Sequence, residues 1–196
     1  MNARSIALIT TFAALAIALN TIRIPTFYWP GWFYTLCEIP VLVAFLIYGF
    51  KIGLMVEVLH IAGQEIFFPV GPGGIVVYPM GLLVVPLMVF GVLLGRKFLA
   101  RKETSGSQNN EKKTAMFVTG VAAAVRGGLM PLVDFFVLYN LLLPIALGKV
   151  ISGTYIAGLV PAFVVYNVTS AFYSVPIAYL IARQACKHLR LDARLL

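Results

Sequence analysis

Glu57, His60 and Gln64 follow one another at spacings of three and four, with Glu65 alongside, in the otherwise apolar stretch IGLMVEVLHIAGQEIFF. On a helix they form one polar stripe. A single arginine, Arg126, stands inside another apolar run. Ionisable groups are expensive in hydrocarbon, so these residues are expected to face a bundle interior or a wet cavity. A carboxylate, an imidazole and an amide at helical spacing outline a metal site. Gln is a poor ligand, however, and the second histidine, His188, is remote in sequence. Interhelical hydrogen bonding is therefore the expectation, with no metal. Arg126 is expected to pair with a buried carboxylate, Glu57 or Glu65, because an unpaired charge there costs roughly 3 kcal/mol or more. Such a pair serves either structure or a ligand.

Other catalytic chemistry is missing. The string nearest to a phosphate-binding loop, GVLLGRKF, lacks the spacing and the final hydroxyl. ATP hydrolysis by that route is excluded. There is no His-Glu-x-x-His, nucleophile elbow or Cys-x-x-Cys. No catalytic residue is assigned.

These residues are carried by a chain of 196 residues that is 61% hydrophobic and only 11% charged, with mean hydropathy +0.94. That is the composition of a polytopic membrane protein. The expected fold is an all-α integral membrane bundle of six transmembrane helices in a single domain, 1–196. The spans are read at 5–22, 33–50, 52–68, 75–95, 114–136 and 156–182, with a polar linker at 96–113. The net charge of +8 does not point to nucleic acid, because the basic residues sit at span ends. Alternating the spans puts twelve Lys and Arg on one side: Arg4, Lys51, four in 96–102, Lys112, Lys113 and four from Arg183 to Arg194. The other side holds Arg23 and Lys149. Positive charge accumulates inside, so both termini are expected in the cytoplasm and the protein in the cell membrane. Cys37 and Cys186 then lie near opposite faces, which makes a disulfide implausible. The first apolar run is longer than a signal peptide's and reads as an uncleaved span.

Two further features stand out. In the first span Ala7, Thr11, Ala14 and Ala18 recur at four, three and four, giving a smooth face on which another helix can approach closely. The stretch TIRIPTFYWPGW, Thr21 to Trp32, is dense in aromatics and stiffened by Pro25 and Pro30. It reads as an interfacial belt or as a lid over something flat and apolar. The string PVGPGG, 69–74, is a turn on the same side. Arg126-Gly127-Gly128 and Pro131 predict a weak or kinked fifth helix. Asn167-Val168-Thr169 matches a glycosylation pattern but lies within a span and is discounted.

In order and topology the chain resembles the substrate-binding S-component of an energy-coupling factor (ECF) vitamin transporter. Ala14-x-x-x-Ala18 looks like the motif by which those proteins dock on the transmembrane T-component. Glu38-Ile39-Pro40, Tyr48 to Gly53, Glu57 and His60 resemble the second and third helices of the riboflavin branch, and Phe136 to Pro144 its stretch after helix five. Where that branch usually has Asn and Lys, this chain has Asp134 and Tyr166. A carboxylate at 134 suits a cationic or amine-bearing vitamin. The resemblance implies a non-enzymatic receptor with no cofactor, capturing riboflavin, a related flavin or another micronutrient from outside. It implies Trp29, Trp32 and Tyr78 as aromatic ligand contacts and Asp134, Asn140, Tyr166 and Asn167 as polar ones. Ala7, Ala14 and Ala18 would dock a T-component served by two ATPases. A structural six-span protein of the cell-wall elongation machinery has a similar layout and is the rival expectation.

Overall fold

A computed structural model of the chain describes residues 2–28, 32–69, 74–102, 111–142, 144–145, 148 and 152–189. Helix α1 (Ala3–Leu19) leads into a small antiparallel hairpin, β1 (Ile24–Pro25) and β2 (Phe33–Tyr34). Then come α2 (Glu38–Tyr48), α3 (Phe50–Phe67), α4 (Gly74–Lys102), α5 (Glu111–Val133) and α6 (Gly153–Leu189). Met80–Ala100, Lys112–Leu142 and Gly153–His188 are long and apolar enough to cross a membrane; α1 and α2 are shorter apolar helices.

The asparagine before α1 caps it: the Asn2 side chain accepts from the Ser5 N–H at 3.0 Å, satisfying one of the helix's orphan donors. The central element is α2. Every residue from Ile39 to Ile47 is buried, because the helix lies against α3 and α6 and also touches α1 and α4. Pro40 is tolerated because it stands in the first turn, where no helical donor is lost. Gly49 joins α2 to α3 at φ 87°, a backbone conformation that glycine adopts without strain. Helix α5 packs along both α4 and α6, which meet each other only briefly. Between α4 and α5 the approach is close: a Cβ on Gly91 would sit 2.5 Å from the Ala122 Cα.

Several boundaries differ from those expected. The span read at 33–50 is a strand followed by an eleven-residue helix of about 16 Å. Phe33 and Tyr34 are apolar enough to pass for span residues, yet their backbone pairs with Ile24 and Pro25. The linker read at 96–113 is narrower, because α4 runs on to Lys102 and α5 begins at Glu111. Hydropathy marks the apolar part of a helix, whereas its charged last turns stay helical in water. The kink expected around 126–131 takes another form. The α-helix holds through Gly127, Gly128 and Pro131, then changes to a π-helix over Asp134–Leu142. Proline donates no backbone hydrogen bond, which loosens the ladder locally.

Candidate functional site

Arg126 is 1% exposed and is held from three helices. Its Nη1 donates to Glu38 Oε2 at 2.7 Å and its Nη2 to Glu38 Oε1 at 2.9 Å. Its Nε donates to Asn167 Oδ1 at 2.9 Å, and the Met88 sulfur lies 3.1 Å from Nη1. The fork of a guanidinium matches a carboxylate in this two-point way. Ser174 adds a hydroxyl donor to Glu38 at 3.2 Å. Glu38 stands in the first turn of α2, where the helix dipole also favours negative charge. The partner expected for Arg126, Glu57 or Glu65, is thus corrected to Glu38. It is 88 positions away, and nothing in the periodicity of α5 points to it.

The polar stripe on α3 does form, with a different division of work. Glu57 and His60, 2% and 4% exposed, face each other at 3.3 Å between Oε2 and Nδ1. Gln64 reaches across to the Cys37 sulfur at 3.8 Å. His60 Nε2 and one Glu65 oxygen are buried without a hydrogen-bond partner. Among the described residues no three His, Cys, Asp or Glu side chains converge on a point that would hold a metal.

Above the ion pair the hairpin lies on α6 through aromatic rings. Trp32 stacks on Phe163 with centroids 5.2 Å apart and planes 14° apart. Tyr34 stacks on Tyr166 at 5.1 Å and 7°, and Tyr139 on Phe163 at 5.5 Å and 28°. Two hydroxyls fasten the strand: Tyr166 donates to the Phe33 carbonyl at 3.0 Å and Tyr173 to that of Thr35 at 2.7 Å. The Tyr28 and Tyr34 hydroxyls meet at 2.7 Å. Burial, then that hydrogen bond, raises the Tyr28 phenol well above its usual range, so it stays protonated. Arg23 lies over the Phe33 and Phe68 rings, 5.9 and 5.3 Å from their centroids, and ties the hairpin to the end of α3.

Of the expected ligand contacts, Trp32, Tyr166 and Asn167 come together here. Tyr166 bridges the two layers, since its ring carries Tyr34 and its neighbour Asn167 holds Arg126. Asp134 is half-buried at the start of the π-helix, within electrostatic range of Arg126 and of Tyr139. Asn140 is exposed and turned back on its own segment, donating to the Phe135 carbonyl. Trp29 lies outside the described residues. Tyr78 is in α4, with its side chain outside them. Glu38, Tyr34, Tyr139, Phe163 and Tyr173 were not singled out from the sequence as ligand contacts. The Phe163-x-x-Tyr166 spacing on a helix was the available signal for part of this face. Ala7, Thr11, Ala14 and Ala18 are exposed along α1, while Ile9, Ala13 and Ala16 face inward. A groove of about 640 Å³ runs elsewhere, between α4 and α5, along Phe90, Phe117, Gly120, Ala124 and Gly128. No polar side chain lines it to orient a solute, so the aromatic layer is the better candidate.

No protein-family model matches the sequence, and no curated protein does. A solved structure does, described as "Structure and mechanism of the S component of a bacterial ECF transporter". It is 17% identical, with TM-score 0.63, and the match covers 95% of this chain and 98% of that one. Over essentially its whole length, the chain has the fold of an S component of a bacterial ECF transporter.

Proposed function

We propose that this chain is the substrate-binding subunit of an ECF-type importer, with both termini in the cytoplasm and no catalytic activity of its own. It captures a vitamin with a flat ring system from outside the cell membrane. The observation that carries this reading is the aromatic layer. The hairpin rests by Trp32 and Tyr34 on rings of α6, directly over a buried polar cluster, in a fold shared end to end with an S component. Parting those rings opens a slot with flat faces and polar groups at its floor. Ring burial supplies most of the affinity in such a site, and a few polar groups fix orientation. The exposed small-residue face of α1 is the docking surface for a T-component membrane subunit, whose two ATPases drive release.

The motif run from Glu38 to His60 makes riboflavin or a related flavin the first compound to test, and Asp134 makes a cationic vitamin the second. The test is the absorbance and mass spectrum of the protein purified in detergent. A stoichiometric ring-bearing vitamin supports the reading, and a yellow preparation with a flavin mass supports the first compound. Sustained solute accumulation or substrate turnover by vesicles holding this chain alone would overturn it. Absence of any bound small molecule, with capture of a cell-wall partner, would favour a structural six-span protein.

A further inference from the structure

The groove between α4 and α5 is left unfilled by the chain itself. Gly120, Ala124 and Gly128 line it at spacings of four, and a Cβ on Gly120 or Gly128 would meet nothing within 4 Å. Gly91 and Gly95 bring α4 against the backbone of Ala122 and Val118, which closes the back of the groove. The exposed rings of Phe90 and Phe117 line it as well, and Leu129 lies furthest along α5. From Phe117 to Leu129 the helix advances about 18 Å, at about 1.5 Å per residue. One leaflet of a bilayer's hydrocarbon is about 15 Å deep. Both helices belong to segments long and apolar enough to cross a membrane, so the groove runs the depth of one leaflet.

Its end nearest the loop between the two helices is basic. Lys113 stands one turn before Phe117 on the same face of α5, and Lys97 stands two turns after Phe90 on α4; both are exposed. The helices run antiparallel with Gly91 opposite Ala122 and Gly95 opposite Val118, which sets the two lysines within one turn of each other along the axis. A neighbouring helix is a poor occupant. It needs a smooth face for backbone approach, and the rings of Phe90 and Phe117 stand in its way. A second copy in the same orientation would also set like charges against one another. A hydrocarbon chain is thin enough to lie between the rings, and a negative headgroup complements the lysines.

We infer that the groove seats an acyl chain of an anionic phospholipid, whose headgroup is held by Lys97 and Lys113. The apolar walls take the chain whatever the headgroup, and the lysines select the charge. The docking face proposed on α1 is separate, because α1 packs on α2 and α3.

The test is native mass spectrometry of the full chain in detergent, offered equal amounts of dioleoyl phosphatidylglycerol and dioleoyl phosphatidylcholine. The parent is expected to retain one phosphatidylglycerol, in preference to phosphatidylcholine by about tenfold or more, as two lysines near the membrane surface favour an anionic headgroup. Ala124→Leu, at an exposed position, fills the groove and is expected to lose the bound lipid. Gly120→Leu, where a Cβ has open space, reads the same and serves if the first variant is not helical by circular dichroism. The double variant Lys97→Gln, Lys113→Gln keeps the groove and is expected to retain the two lipids equally. Equal retention of both lipids by the parent, or unchanged phosphatidylglycerol retention in a helical groove-filled variant, overturns the inference. A parent dimer that Ala124→Leu dissociates overturns it in favour of a second copy in the groove.

Discussion

Replacing Glu38 by Gln leaves the shape of the cluster and removes one of its two opposite charges. Arg126 keeps Asn167 and a neutral amide as acceptors, but its charge is left 1% exposed with no hydrogen-bonded counter-ion. Breaking a buried pair by removing one partner costs about 3–5 kcal/mol. For a chain of this length each kcal/mol moves the melting temperature by about 2–4 °C, so Glu38→Gln is expected to melt about 6–20 °C lower. The assay is thermal melting of the detergent-solubilised protein, followed by circular dichroism at the helical band. The double variant Glu38→Gln, Arg126→Met takes away the stranded charge as well, and is expected to recover at least half of the loss. A Glu38→Gln variant melting within about 2 °C of the parent, or a double variant no better than the single one, would refute the claim that the two-point ion pair fastens α2 to α5.

Three further outcomes are expected. Ala14→Trp or Ala18→Trp, each on the exposed face of α1, abolishes uptake in cells with the coupling subunits but leaves ligand binding by the purified chain intact; unchanged uptake counts against docking there. Trp32→Ala removes the stack on Phe163 and weakens ligand binding by about tenfold, the worth of an aromatic pair plus part of its burial; equal affinity by calorimetry speaks against the lid. Gly91→Val forces a side chain against the Ala122 backbone and lowers stability by about 1–3 kcal/mol, read as a lower melting temperature; a melt identical to the parent's would mean that α4 and α5 are not held so closely.

The order of the helices was legible because apolar length is a strong, local signal, and the smooth face of α1 could be read from Ala7, Ala14 and Ala18 alone. What could not be read were relations between distant segments. Arg126 announced that it needed a carboxylate, yet four, Glu38, Glu57, Glu65 and Asp134, lay within apolar surroundings or at their edges, and choosing Glu38 requires knowing that the first turn of α2 meets the Arg126 side chain beside α6. Phe33 and Tyr34 looked like the start of a span, since pairing with Ile24 leaves no trace in hydropathy. Pro131 signalled a disturbed helix, but whether a ladder bends, breaks or widens to a π-helix depends on neighbouring helices, not on the proline alone. Of the aromatic layer, the hairpin half was visible as a dense run. Its counterpart on α6, Phe163, Tyr166 and Tyr173, was diluted among apolar residues.

The chain's two tryptophans are Trp29 and Trp32, both in the segment between α1 and α2. Emission excited in the indole band therefore comes from that segment and from nowhere else in the polypeptide. Trp32, lying face to face with Phe163, reports on whether the hairpin is seated on α6, so any displacement of the hairpin would register in stopped-flow fluorescence on the unlabelled protein.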